Sequence, residues 1–364
     1  MQLKHFDREV GTFLIVYHLI LLVALPWYLS FRTPDAGIWI SALILFLFTG
    51  FGVTAGYHRL FSHRSYDVHI LAEIFILTCA AMSAEGSVIK WSYNHRIHHK
   101  YVDTDRDPYS IKKGFWYAHF TWMLDKRNSV FDDPSIVPDL MRNKLLVFQD
   151  RFSILLIIIL NLASILVIGY LCQDYWGAFV ITFLLRMFFT HHSSFCINSL
   201  AHTVGSRPFS QEHTAVNNWL VALLTLGEGY HNFHHTFPAD YRNGVRWYQF
   251  DPTRIFIWTL SKLRLARNLK ITDNSAIIKR RITEEKIRLL AMLQSAETCF
   301  QERFEPRVYN VFDSLIFHLD DLRKLSRDAG GRQHVKLLQQ RIKDDLREWK
   351  QLYSTVLAKQ PVAA

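Results

Sequence analysis

The stretch Trp91-Ser92-Tyr93-Asn94-His95-Arg96-Ile97-His98-His99-Lys100 decides how the chain is read, because it places three imidazoles within five residues. On an α-helix His95, His98 and His99 stand at i, i+3 and i, i+4 spacing, so their side chains share one face. Three neutral imidazoles on one face make a nitrogen-rich metal site. A solvated polar helix whose histidines cap or hydrogen-bond would show the same local pattern. The rest of the chain decides between the two.

Three similar groups lie elsewhere: His58-Arg-Leu-Phe-Ser-His63, Asn198-Ser-Leu-Ala-His202 and His231-Asn-Phe-His234-His235. With the central stretch they hold nine of the eighteen histidines, and His-x-x-His-His occurs twice. A structural zinc takes four ligands and a catalytic zinc usually three, so nine imidazoles are too many for one ion. Two ions with four or five nitrogen ligands each fit the count. His58 and His63, at i, i+5, lie about 140° apart on an ideal helix. Either they face different metals or the helix loosens between them. Asn198 precedes His202 by four residues on the same helical face, and spacing alone allows a water-holding role or that of an ordinary polar residue. A redox-active iron pair suits imidazole ligands, whereas hydrolytic metal pairs lean on carboxylates. The Glu-x-x-His pattern of carboxylate-bridged bundles is missing from these clusters.

Half of the 364 residues are apolar and unevenly placed, which points to an all-α membrane protein. Residues 12–30, 37–55 and 153–171 are long apolar runs, each able to cross a hydrocarbon layer at about 1.5 Å per residue. A fourth run, 176–190, is shorter and contains Arg186; it is expected to continue as a helix carrying His191 and His192. The apolar segment 70–82 is too short to cross comfortably. A crossing there would also put the histidines before and after it on opposite faces, so it reads as interfacial or re-entrant. Residues 83–151 hold eleven Lys/Arg, while the two opposite loops hold only Arg32. By the positive-inside rule the histidines and both termini face the cytoplasm.

The cysteines at 79, 172, 196 and 299 form no CxxC pair, so neither a disulfide framework nor an in-chain iron–sulfur centre is expected. The net charge of +10 is read as topology-setting and lipid-facing rather than as a nucleic-acid surface. From 271 the chain changes character, with 17 Lys/Arg against 13 Asp/Glu and apolar residues at helical spacing. Residues 1–270 therefore read as a membrane domain and 271–364 as a soluble extension of two or three amphipathic helices, separated at Pro306 and Gly330-Gly331.

HRLFSH at 58–63, HRIHHK at 95–100, NSLAH at 198–202, GEGYHNFHH at 227–235 and DRDP at 105–108 together resemble the membrane fatty acid desaturases, specifically the Δ9 acyl-CoA (stearoyl-CoA-type) branch. The resemblance covers roughly residues 10–260. It implies a four-span helical protein with a cytosolic helical cap and two Fe ions held by His58, His63, His95, His98, His99, His202, His231, His234 and His235. Asn198 falls on the family's water-holding position. The implied reaction uses O2, two electrons and two protons to place a cis double bond, at Δ9, in a long-chain saturated acyl-CoA. His191 and His192 lie outside the ligand pattern and are read as supporting residues.

Trp91, Trp122, Phe115, Trp116 and Trp219 are candidates for lining an acyl tunnel or for interfacial packing. The branch's Arg-Asp pair before the central box is replaced by Tyr93-Asn94, which leaves Lys112, Lys113, Lys126 and Arg127 as candidates for CoA phosphates or lipid headgroups. The carrier is thus acyl-CoA or an acyl-phospholipid. A di-iron lipid or alkane hydroxylase and a catalytically silent membrane scaffold are the competing readings. His-Pro-Gly-Gly, the mark of a fused haem domain, does not occur, so electrons are expected from a separate cytochrome b5, ferredoxin or rubredoxin type protein with its reductase.

Overall fold

The computed structural model describes residues 6–129, 131, 133–327 and 332–358. Helix α1, Arg8–Phe31, starts where the Asp7 carboxylate accepts the backbone N–H groups of Glu9 and Val10. Helix α2, Ala36–Phe51, starts likewise on Asp35. It then passes into a π-helical segment, Gly52–Ser62. The second apolar helix therefore runs Ala36–Ser62, seven residues beyond the expected end at 55. At Gly52 helix α3, Ile70–Ala81, approaches closely, its backbone lying where a side chain would stand. A Cβ on Gly52 would sit 2.3 Å from Ala80 N. Small residues at such a crossing let two backbones touch.

This contact makes a test. Gly52→Val overpacks the α2–α3 crossing and is expected to cost about 1–3 kcal/mol. Its measure is a lower unfolding midpoint of the detergent-purified protein, with wild-type behaviour arguing that α3 can shift freely.

The third long apolar helix covers Ser153–Leu171, and the fourth, Tyr175–His202, continues past 190 and carries His191 and His192. Arg186 does not interrupt it, because the guanidinium is buried and satisfied. It donates to Thr182 O, Met82 O and, at 2.6 Å, to Asn161 Oδ1 of the third span. Paired in this way a cation is tolerated among apolar helices. The first and fourth spans pack through Leu14, Tyr17 and Leu21 against Leu184 and Met187. Outward-facing Ile154, Leu155, Ile158, Ile159, Leu162 and Leu166 leave the third span with an exposed apolar surface. Such a surface suits lipid rather than water.

Helix α4, Val88–Tyr101, carries the central box and is capped by Ser87. It packs with the π segment and α3 in a core that includes Tyr57, Tyr66, Ile76, Ile89 and Tyr93. A two-residue ribbon, Asp67–Val68 against Ala266–Arg267, ties the chain leaving the spans to the segment that follows the last histidines.

The chain divides into two compact units, one of residues 1–206 and 213–271, the other of 207–212 and 272–364. In the second, helices Asn274–Gln294, Thr298–Arg327 and Arg332–Ala358 surround Ile282, Leu289, Leu315 and Trp349. The expected break at Pro306 does not occur, since one helix runs through it. Burial of Phe304, Val308 and Val311 on its inner face outweighs the missing backbone hydrogen bond. Gly330-Gly331 lies outside the described residues.

Candidate metal centre

Four short pieces of chain deliver the nine imidazoles. The π segment and the residue after it present His58 and His63, α4 presents His95, His98 and His99, the end of the fourth span presents His202, and helix His231–Thr236 presents the rest. They fall into two groups: His58, His63, His95, His99 and His234, and His98, His202, His231 and His235. In each, one nitrogen per residue lies within 4.8 Å of all the others.

The open question at His58 and His63 is answered by local geometry. A π-helix closes its hydrogen bonds at i→i+5, which turns residues five apart onto one side. The two rings stand 4.8 Å apart, in one group. Conversely, His98 and His99 are sequence neighbours yet enter different groups. The groups meet where His99 and His235 stack at 4.1 Å.

Four of the nine rings are aimed from behind. Asp107 Oδ1 accepts from His98 Nδ1 at 2.9 Å. Glu228 Oε2 lies 2.9 Å from His58 Nδ1. Tyr109 OH pairs with His95 Nδ1 at 3.2 Å, and Thr214 Oγ1 with His202 Nδ1 at 2.8 Å. Thr214 is itself held by Asp103. Such partners fix which nitrogen carries the proton and raise the basicity of the other. Carboxylates only accept, so His98 holds its proton on Nδ1 and turns the Nε2 lone pair to His235 Nε2, 3.3 Å away.

Burial, reinforced by the neighbouring imidazoles, pushes His63, His95, His99, His231, His234 and His235 well below the ordinary histidine range. Neutral nitrogens that converge at 2.8–3.3 Å need a cation or a shared proton between them. The donor set, nine imidazoles with carboxylates only behind them, therefore fits two nitrogen-preferring transition metals.

Behind the first group, Arg59 is buried against two carboxylates. It donates to Glu228 Oε1 at 2.8 Å, to both oxygens of Asp251, and to Tyr241 O. Burial raises the Glu228 carboxyl, but Arg59 and His58 outweigh it and hold it below the ordinary carboxylate range. Arg59, Glu228 and Asp107 lie inside the quoted motifs and Asp251 outside them, but spacing gives none of the four a role; burial marks them.

A cavity of about 310 Å³ opens beside the first group. His58, His95 and Asn198 line it, with Trp91, Trp122, Phe13, Leu14 and Phe195 supplying apolar wall. Phe115, Trp116 and Trp219 are not among the lining residues, and Trp116 and Trp219 are exposed. None of the four expected headgroup cations lines it either. Lys113 Nζ is 3.2 Å from Asp105 O, Arg127 is paired with Asp125, and Lys112 and Lys126 are exposed. Lys90, which sequence reasoning passed over, is exposed and on the cavity wall. Tyr93 is buried in the core, while Asn94 reaches the cavity.

His191 and His192 belong to neither group. His191 bridges Tyr17 OH and Ser83 O, and His192 lies between His18 and His119. Both therefore hold helices together near the cavity.

A profile of the fatty acid desaturase family matches residues 36–262. Among curated proteins, a probable acyl-CoA desaturase of Schizosaccharomyces pombe is 44% identical over 279 residues, covering 75% of this chain and 58% of that protein. Acyl-CoA desaturase 1 of Saccharomyces cerevisiae is 40% identical over 276 residues, covering 74% and 54%. An sn-1 stearoyl-lipid 9-desaturase of Anabaena variabilis is 34% identical over 238 residues, covering 65% and 85%. The chain thus spans somewhat more than half the length of the two fungal relatives.

Proposed function

Since the chain belongs to the fatty acid desaturase family, we propose that it is an O2-dependent acyl desaturase that places a cis double bond, at Δ9, in a long-chain saturated acyl-CoA. The observation that carries this reading is the position of His58, His95 and Asn198 on the wall of a mostly apolar cavity. A long alkyl chain in that cavity passes beside nitrogen donors suited to redox metals. Two irons bound by the nine histidines, with Asn198 holding a water, would supply O2 activation and removal of hydrogen from unactivated methylenes.

The protein's own part is positioning. Asp107, Glu228, Tyr109 and Thr214 hold four imidazoles in fixed orientation, so ligand geometry does not relax between turnovers. Trp91, stacked on His95, and Trp122, against Tyr109, supply apolar wall and keep water from the reacting carbons. The alkyl chain's contact with this wall sets which methylenes face the centre, an orientation effect. The eleven Lys/Arg of segment 83–151 support a cytoplasmic face for the centre by the positive-inside rule, within reach of a separate electron-donor protein with its reductase.

Lys90 supports a CoA ester, since it is an exposed cation on the cavity wall and suits a phosphate. Lys90→Glu is expected to raise KM for acyl-CoA about tenfold with kcat little changed. An unchanged KM would favour the acyl-phospholipid carrier, as the name of the Anabaena relative suggests for that protein. The reading as a whole is tested in a desaturase-deficient host by locating double bonds in its fatty acids. A cis-Δ9 monoene supports it; a hydroxylated product without alkene moves the assignment to a lipid hydroxylase.

A further inference from the structure

The cavity wall contains one carboxyl that neither the metal groups nor the core network uses. Glu85 sits in the turn between α3 and α4. Its Oε2 accepts from Trp91 Nε1 at 3.0 Å and from Ser194 Oγ at 3.1 Å. Its Oε1 is buried and has no hydrogen-bond partner. Trp122 Nε1, on the same wall, is likewise buried without one. A carboxylate left half-satisfied in an apolar cavity is costly, whereas a carboxylic acid can turn its O–H on Oε1 toward whatever occupies the space. Two donors already converge on Oε2, so the proton belongs on Oε1. Burial accordingly pushes the Glu85 carboxyl up to about 7, against the opposing pull of the Trp91 and Ser194 hydrogen bonds.

We propose that Glu85 is the acid that delivers one of the two protons consumed for each double bond formed. This rests on the desaturase reading. One saturated CH2–CH2 unit, one O2, two electrons from the donor protein and two protons give one alkene and two waters. The O2 takes two of its four electrons, with two hydrogens, from the substrate. Its remaining charge is neutralised by the two protons. Glu85 gives up its O–H proton into the cavity and becomes a carboxylate. It regains the proton from water at the Lys90 edge before the next turnover. The titratable or charged groups around it are Lys90, His58, His95, Tyr109, His191 and Glu228 on the cavity wall and Tyr57, within its electrostatic reach.

The test compares wild type, Glu85→Gln and Glu85→Asp as full-length membrane protein with matched iron content. Glu85→Gln keeps an acceptor for Trp91 and Ser194 but has no acidic proton. Its kcat is expected to fall about 100-fold, the scale of general acid catalysis, with KM within about twofold. The decline of wild-type activity as pH rises through about 7 should be absent in Glu85→Gln and retained, at reduced rate, in Glu85→Asp. Infrared spectra of metal-free protein give a second readout. A protonated-carboxyl C=O band should titrate near neutral pH in wild type and be missing from Glu85→Gln. Wild-type kcat and pH profile in Glu85→Gln, or no such band at pH 6, would overturn the assignment. A wild type with bound iron and reduced donor that makes no alkene would instead sink the desaturase reading itself.

Discussion

Replacing His98 or His235 with alanine is expected to bring alkene formation to background and to lower bound iron, while the protein still inserts in the membrane. Both lie in the four-histidine group, with Nε2 atoms 3.3 Å apart, so either change leaves three nitrogens for an ion. His98→Ala also strands the Asp107 carboxylate, whose Oδ1 loses its Nδ1–H donor. The five-histidine group keeps all its members, so about half of the iron should remain if each group binds one ion. Insertion depends on the apolar spans, none of which contains either residue. Iron per protein, the fatty acid profile of the host and resistance to carbonate extraction measure the three outcomes. Full activity in either variant would refute the ligand assignment.

The second large effect is expected at a residue that touches no substrate. Arg59→Met removes a buried guanidinium from between Glu228 and Asp251 and leaves two carboxylates facing each other in the core. Breaking a buried ion pair by removing one partner costs about 3–5 kcal/mol. Against a total stability of roughly 5–15 kcal/mol, that is enough to deplete the folded state. Asp251 would also lose the charge that balances its contacts with the backbone of Asn243 and Gly244. The damage reaches the metal site, because Glu228 lies 2.9 Å from His58 Nδ1. Recovery of monodisperse protein, and its half-life on heating, should fall sharply. A companion variant, Arg59→Met with Glu228→Gln, removes one of the stranded charges and should restore part of the yield. Normal yield of the single variant would mean that water reaches the cluster and solvates both carboxylates.

The apolar runs were legible because lipid solvation demands them: a helix that must cross hydrocarbon has to advertise its length in unbroken composition. Arg186 stands inside the fourth apolar run with nothing beside it in sequence to say how its charge is met. Its partner Asn161 lies 25 residues earlier, on another helix, and no local pattern links them. Pro306 misled for a related reason, since a packed inner face kept the helix intact. The four headgroup cations expected from the sequence do not line the cavity and Lys90 does, because charge spacing does not say which way a segment turns.

At the site itself, sequence alone determined the number and kind of donors. Nine histidines in repeated short-range patterns are a statement about ligand chemistry that survives any arrangement of the chain. Their partition was decided by tertiary structure. His98 and His99 diverge because a helix rotates about 100° per residue, and only the docking of α4 against helix His231–Thr236 says which nitrogen each one meets. The same holds for Glu85. Its sequence neighbourhood is that of an ordinary turn, and its chemistry comes entirely from burial, two donors on one oxygen and an apolar space before the other. Composition and periodicity are properties of the chain, whereas desolvation and the aim of a lone pair exist only once distant segments have closed around them.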